Sequence, residues 1–593
     1  MASLYQLIAK PATFSLSSGG QPRRAALRRV SCSSAGGERP GPDAPNRDRR
    51  DVLLGLGALG AAGVLPPRRA GADPIATPDI STCGQPDLPP AANVLTCCPP
   101  PSSAPPVDFS PPDPSSPLRT RPAAHAAGAD YAAKLGAAFA AMRALPADDP
   151  RSFAAQASVH CAYCDGSYSP EGFPGTELQV HNSWLFLPFH RCYLYFFERI
   201  LGSLVGDPGL GIPFWNWDSP DGMRMPPIYA DPSSQLFDPR RDPRHAPPRL
   251  IDLDYNGREP RFSDKQQIDH NLAVMYRQMV SLSPTAALFF GSPYRGGDEA
   301  NPGPGPVENM PHGPVHIWCG DPGQPEREDM GNFYSAGNDP LFYAHHANID
   351  RMWGVWKGLD ARRHTDLADP DWLDASFLFY DEEPKLVRIR VRDVLDTDRL
   401  RYRYQDVPLP WTAARPRPTS SLTQRVQSSA AFLTPKAHAA GGEANKTADR
   451  FPVTLDAATS VTVRRPAAAR GRSRAEKAAG EEVLVVDGIE VDRDVAAKFD
   501  VFVNAEDHGA VGSGGRELAG SFVNVPHRHR HGHGHGHGHG KKGRGIRTKL
   551  RLALNEQLED LKAEGDESIV VTLVPQQGKG KVKVGGVRIE LMH

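Results

Sequence analysis

The chain has 593 residues, with 68 Lys and Arg against 69 Asp and Glu and a net charge of −1. That balance offers no electrostatic footprint for nucleic acid. The 59 prolines, roughly twice the usual share, predict long loops in a chain long enough for about three or four domain-sized units before processing and linkers are subtracted.

Residues 1–37 hold no Asp or Glu, several Arg and many Ser and Ala, the composition of a transit peptide. Arg49 and Arg50 then precede the apolar run DVLLGLGALGAAGVL and the small residues Ala70, Gly71 and Ala72. The run is too short and too rich in Gly and Ala for a stable membrane span. Residues 1–72 therefore read as a bipartite address: chloroplast import, then the twin-arginine import machinery into the thylakoid lumen, with Asp73 as the mature start. A lumenal address is compatible with disulfides. Cys83, Cys97, Cys98 and Cys161 admit more than one pairing, although a bond between the adjacent Cys97 and Cys98 would be strained.

The segments DYAAKLGAAFAAMRAL, PRSFAAQASVH, PFHRCYLYFFERILG, DKQQIDHNLAVMYRQMVS and PLFYAHHANIDRMWGVWK predict helices. His160 falls at the end of the second, which opens at Asp149 and Pro150. His181 and His190 are nine residues apart, on opposite sides of any one straight helix. Pro188 suits the first turn of a helix containing His190, leaving His181 on the preceding loop. His312 and His316 are four apart and share one helix face. Asp339 and Pro340 cap and open the last helix, where His345 and His346 point about 100° apart; spacing leaves open which of them faces a site. Two three-imidazole groups without a carboxylate favour copper over magnesium, calcium or non-haem iron. Spacing alone leaves zinc and di-iron open. Helices aiming imidazoles inward would form a bundle metal site.

Further on, DWLDASFLFYDEE and LRYRYQDVPLPW read as extended structure. Residues 412–480, rich in Ala, Arg, Ser, Thr and Pro, read as a linker. From 481 to 593, EEVLVVDGIEV, KFDVFVNAED, ELAGSFVNVPH, KLRLALNEQL, SIVVTLVPQ and KVKVGGVRIEL predict a β-sandwich. It is interrupted by HRHRHGHGHGHGHG at 527–540, whose composition suggests a flexible loop with metal affinity.

The motifs HCAYC at 160–164, HNSWLFLPFHR at 181–191, HGPVHIW at 312–318, GNFYSAGNDPLFYAHHANIDRMW at 331–353, DWLD at 371–374 and KFDVFVN at 498–504 carry a resemblance. From about Cys83 to the C-terminus the chain resembles the plant polyphenol oxidases, or catechol oxidases, of the type-3 copper family. The resemblance implies two copper ions, the first held by His160, His181 and His190 and the second by His312, His316 and His346. It implies oxidation of o-diphenols to o-quinones by dioxygen, in a mainly α copper domain (73–411) built on a four-helix bundle with long loops. The C-terminal β domain would then be a lid that keeps the enzyme latent until a processing protease acts. Glu308 resembles the glutamate that orients a proton-accepting water, and Phe333 the gate phenylalanine above the copper pair. Gly313 stands where many tyrosinases carry asparagine, which points to diphenols over monophenols. The resemblance pairs Cys83 with Cys98 and Cys97 with Cys161, and joins Cys164 to His181 by a thioether. Cys192 and Cys319 are expected to be inert core residues. The neighbouring activities are a monophenol-hydroxylating tyrosinase and a hemocyanin-like oxygen carrier.

Overall fold

The structure, a computed structural model, describes residues 73–88, 92, 96–102, 104–416, 450–512, 514–527 and 545–593. The 1–72 address and residues 528–540 of the His-rich tract lie outside the described residues.

The first part is mainly helical: α1 (Ala129–Ala144), α2 (Phe153–Cys164), α3 (Phe186–Leu204), α4 (Pro227–Ala230), α5 (Asp264–Tyr276), α6 (Ala286–Phe289), α7 (Gly313–Cys319), α8 (Phe333–Ala336), α9 (Pro340–Leu359) and α10 (Pro370–Asp374). Helix α2 does not open at Asp149 and Pro150. The Ser152 hydroxyl accepts the Ala155 N–H, so the helix starts at Phe153 and runs past His160 to Cys164. Pro188 lies in the first turn of α3, where its missing N–H is harmless. The Asp339 carboxylate caps α9 through the Leu341 N–H at 2.7 Å, with Pro340 as the first helical residue. The DWLD segment is helical rather than extended, because Asp369 caps the N–H groups of Asp371 and Trp372 and Pro370 opens the turn.

A buried ion network fixes α3 against α9. Arg191 Nε donates to Asp350 Oδ1 at 2.5 Å and its guanidinium lies 3.6 Å over the Trp353 ring. The hydroxyls of Tyr402 and Tyr404 each donate to Asp350 Oδ2 at 2.6 Å, and Arg121 joins Asp350 to Glu198. Breaking such a pair from one side leaves a bare buried charge and costs about 3–5 kcal/mol. Short strands β1 (Val107–Asp108), β2 (Arg119–Arg121), β3 (Ser376–Tyr380), β4 (Leu386–Arg390) and β5 (Tyr402–Tyr404) close this part as a β1-β4-β3 sheet and a parallel β2-β5 pair. Disulfides Cys83–Cys98 and Cys97–Cys161 tie the proline-rich N-terminal segment to α2. Among the described residues no helix is long and apolar enough to cross a membrane.

The second part comprises β6 (Val453–Thr454), β7 (Thr459–Arg464), β8 (Glu481–Val491), β9 (Ala497–Val503), β10 (Leu518–Asn524), β11 (Ile546–Ala553), β12 (Ser568–Gln577), β13 (Val582–Val584) and β14 (Gly586–Met592), with helices α11 (Arg474–Ala479) and α12 (Asn555–Asp560). Two sheets, ordered β10-β9-β12-β7 and β11-β8-β13-β6 with β14 beside β8, share one apolar core. Residues 450–480, expected within the linker, belong to this unit. In TSVTVR, Val461 and Val463 point inward while Ser460, Thr462 and Arg464 face out, a strand period too short to stand out in an Ala- and Arg-rich stretch.

The two parts exchange core residues. Val523 and Val525 pack into the helical core, and Leu282 and Leu288 into the β core. Polar ties reinforce the contact: Arg493 pairs with Glu177 through two bonds of 2.6 and 2.8 Å, and Lys498 with Asp254 at 2.9 Å. The Asn309 carboxamide bonds the β10 main chain at Ser521 O and at Val523 N.

Candidate metal centre

Helices α2 and α3, the loop before α3, the turn before α7, and α7 and α9 converge their histidines at one buried place. His160, His181 and His190 form one group, and His312, His316, His345 and His346 a second; within each group one nitrogen per residue lies within 4.8 Å of the others. The groups touch: the rings of His190 and His346 stack at 4.1 Å, 15° from parallel.

Hydrogen bonds set the tautomers. The Nδ1–H groups donate to carbonyl oxygens, His160 to Phe333 at 2.8 Å, His190 to Phe186 at 2.8 Å, His312 to Glu308 at 3.0 Å and His316 to Met330 at 2.7 Å. His181 donates to Gln179 Oε1 at 3.2 Å. An imidazole that gives its Nδ1–H to oxygen keeps a lone pair on Nε2, the arrangement metal-binding histidines use. The Nε2 atoms of His160, His181, His190 and His312 are buried without a protein partner. His316 Nε2 and His346 Nε2 stand 3.3 Å apart, about the spacing of two nitrogens each ~2.0 Å from one tetrahedral ion. Burial, the largest influence, holds these rings neutral, pushing His160 down to about 3 and His316 to about 4. The donor set fits a pair of borderline metal ions. Proximity does not separate His345 from His346.

The other expected residues surround this place. Glu308 is buried; one carboxylate oxygen accepts the Asn182 N–H, the other has no protein partner, and burial pushes its carboxyl well above the usual range. The Phe333 ring stacks on His181 at 4.2 Å, 12° from parallel. Gly313 lies under β10, where an added Cβ would stand 3.0 Å from Val523 Cγ1 and 3.4 Å from Val525 Cγ2. Cys164 is buried outside both disulfides, and burial pushes its thiol up. Gln179 bridges it to His181, donating to the Cys164 carbonyl at 2.7 Å while accepting the His181 N–H at 2.9 Å. Cys192 and Cys319 are free and buried. Lone histidines sit elsewhere, as His245 does, stacked on Trp318 at 4.3 Å and bonded to Glu259 at 2.8 Å.

Sequence reasoning missed His527. It is buried, its ring stacks on the outer face of Phe333 at 5.2 Å, and its Nδ1–H donates to Val525 O at 2.8 Å. The Pro526 carbonyl accepts the Phe333 N–H at 3.5 Å, and the Arg493 carbonyl accepts the His527 N–H at 2.7 Å. The repetitive tract that follows hid this residue as one histidine among many.

Family models match residues 150–359 (common central domain of tyrosinase), 366–417 (polyphenol oxidase middle domain) and 451–591 (chloroplastic polyphenol oxidase C-terminal domain). A chloroplastic polyphenol oxidase of Malus domestica is 52% identical, over 96% of this chain and 93% of its own. A (+)-larreatricin hydroxylase of Larrea tridentata is 46% identical, over 100% and 99%. The solved structure of a latent apple tyrosinase superposes with a TM-score of 0.74 at 52% identity, over 82% of this chain and all of that one. The chain belongs to the plant polyphenol oxidases, enzymes of the type-3 copper family.

Proposed function

We propose that the chain is a latent catechol oxidase of the thylakoid lumen, in which His160, His181 and His190 hold one copper and His312, His316 and His346 the other. The observation that carries this is the set of buried Nε2 lone pairs left open by Nδ1–H bonds to oxygen. Copper bound there would pass electrons from o-diphenols to dioxygen: two o-diphenols each lose two electrons and two protons, and dioxygen takes them up as two waters.

The chain's own groups supply geometry and proton handling. Carbonyl oxygens of Phe333, Phe186, Glu308 and Met330 fix the ligand rings. A thioether between Cys164 and His181 would fix that ring covalently and keep a thiolate off the metal; their shared partner Gln179 supports it. The unpartnered Glu308 oxygen would hold a water that takes the phenolic proton. Phe333 offers a flat apolar face beside His181 for an aromatic ring. The side-chain-free Gly313 favours diphenols, since no asparagine stands there to assist a monophenol. The four ligand-bearing helices α2, α3, α7 and α9 form the bundle around the pair. Residues 73–411 act as the catalytic domain and the β domain as its lid, with His527, Val523 and Val525 covering the substrate's approach.

Oxygen-electrode kinetics with catechol, before and after cleavage between 417 and 449, with metal analysis on the same sample, test this reading. Sustained uptake with quinone absorbance supports it; reversible oxygen binding without turnover would mean a carrier instead. Deleting 528–540 should leave turnover intact, whereas loss of all copper from the chain would make that tract the main metal site.

A further inference from the structure

Two adjacent histidines stand at one place in the second group, and a tryptophan on a neighbouring loop distinguishes them. The Trp217 indole Nε1–H donates to His345 Nδ1 at 3.2 Å, with both residues fully buried. An indole nitrogen is a donor only, so His345 Nδ1 must receive this bond with its lone pair. A neutral imidazole in that state carries its hydrogen on Nε2. Neither nitrogen of His345 then keeps a lone pair for a metal. His160, His181, His190, His312 and His316 are in the opposite tautomer, each giving Nδ1–H to oxygen.

The donor is held in place by the helix it acts on. Asp218, next to Trp217, accepts bonds at 3.0 Å from Asn348 Nδ2 and Arg351 Nη1 of α9, the helix that bears His345, and from Trp411 Nε1. On the other side, Trp215 Nε1 is bonded to the carbonyls of Gly222 and Arg224 at 2.9 and 3.0 Å. Loop and helix therefore move together, and the indole stays over Nδ1.

We propose that Trp217 is a ligand-selecting residue: by locking His345 in its Nε2–H form it withdraws that imidazole from the second copper and reserves the place for His346. Trp217 touches neither copper nor substrate and acts through His345 as a positioning residue. The inference rests on the dicopper reading of the two groups.

The test is copper stoichiometry of the full chain in four forms: unaltered, W217F, H346A and H346A/W217F. The unaltered chain and W217F should each hold two coppers and H346A about one. The double variant should recover towards two, because His345 without its indole partner is free to turn a lone pair to the metal. A double variant that stays at one copper while W217F alone remains folded and fully loaded overturns the lock. Neutron diffraction of the unaltered, metal-free chain decides the matter even if W217F fails to fold. A deuteron on Nε2 of His345 supports the lock, and one on Nδ1 overturns it. An unaltered chain that binds no copper would instead sink the dicopper reading, leaving the tautomer assignment standing.

Discussion

The imidazole of His527 stacks on the outer face of Phe333, centroids 5.2 Å apart and 29° from parallel, while the inner face of Phe333 lies on His181 at 4.2 Å. Three rings from three elements thus make one column that ends at the candidate metal ligands. On the proposed reading the β domain would hold the place an aromatic substrate needs. Removing its outermost ring should open part of the approach without removing a catalytic group. His527→Gly in the uncleaved chain is expected to raise catechol oxidation several-fold at equal copper content, and His527→Phe, which keeps a ring, is expected to stay latent. Equal initial rates in both variants and the unaltered chain would show that the column does not limit access.

The β domain lies directly above Gly313. An added Cβ would stand 3.0 Å from Val523 Cγ1. Overpacking at such a contact costs about 1–3 kcal/mol. Gly313→Asn in the full chain should therefore loosen the lid, seen as faster turnover before cleavage and quicker proteolysis. An intact, fully latent Gly313→Asn enzyme would mean that the contact accommodates the side chain.

The Arg493–Glu177 pair joins the β domain to the segment before His181, and Arg493 also holds His527 through its main-chain carbonyl. Arg493→Met leaves Glu177 without its cation near the buried Asp165, whose carboxyl burial and Glu177 push well up. The loss should be on the order of 3 kcal/mol of lid docking. Detergent titration of latency checks this: the activating concentration should fall clearly. No change would place the docking energy in the Val523 and Val525 contacts instead.

A third cluster gives a pH dependence. His270 faces Asp252 at 3.4 Å and Asp254 at 3.7 Å, with Lys498 of the β domain between Asp254 and Asp500. Burial alone would lower His270, but bonding and charge from Asp252 and Asp254 outweigh it and the repulsion of Lys498, so its pKa is raised above 6.5. A raised histidine contributes stability that is fully present below its unfolded value and lost as pH rises through the folded one. Asp252 is burdened by burial but held below 3.8 overall, mainly by the His270 bond and charge, so its contribution fades only in stronger acid. His270→Asn should therefore lower Tm more at pH 5.5 than at pH 8, by roughly 2 °C or more. Equal losses at both pH values would show that His270 is neutral in the folded chain.

Much of this was legible in the residues. Pro188 and Asp339 marked the starts of α3 and α9 because each has one local physical role, and the nine-residue gap between His181 and His190 required one of the two to sit on a loop for both to face one place. The start of α2 was misplaced because Asp149 and Ser152 are both good caps, and only the hydroxyl bond to Ala155 distinguishes them. Strand β7 was missed because two inward valines are too few to mark a period. The roles of Trp217, Gln179 and His527 depend on which atom meets which across long separations, and no local pattern encodes that. His345 and His346 were inseparable by spacing for the same reason.

The central claim, a copper pair closed off by its own β domain, is tested most directly by oxygen uptake with catechol on one preparation of known copper content, before and after a cut between 417 and 449. The expected result is two coppers per chain throughout, little uptake before the cut and a sharp rise after it. Unchanged uptake at constant copper, or fewer than two coppers in active enzyme, would contradict the account.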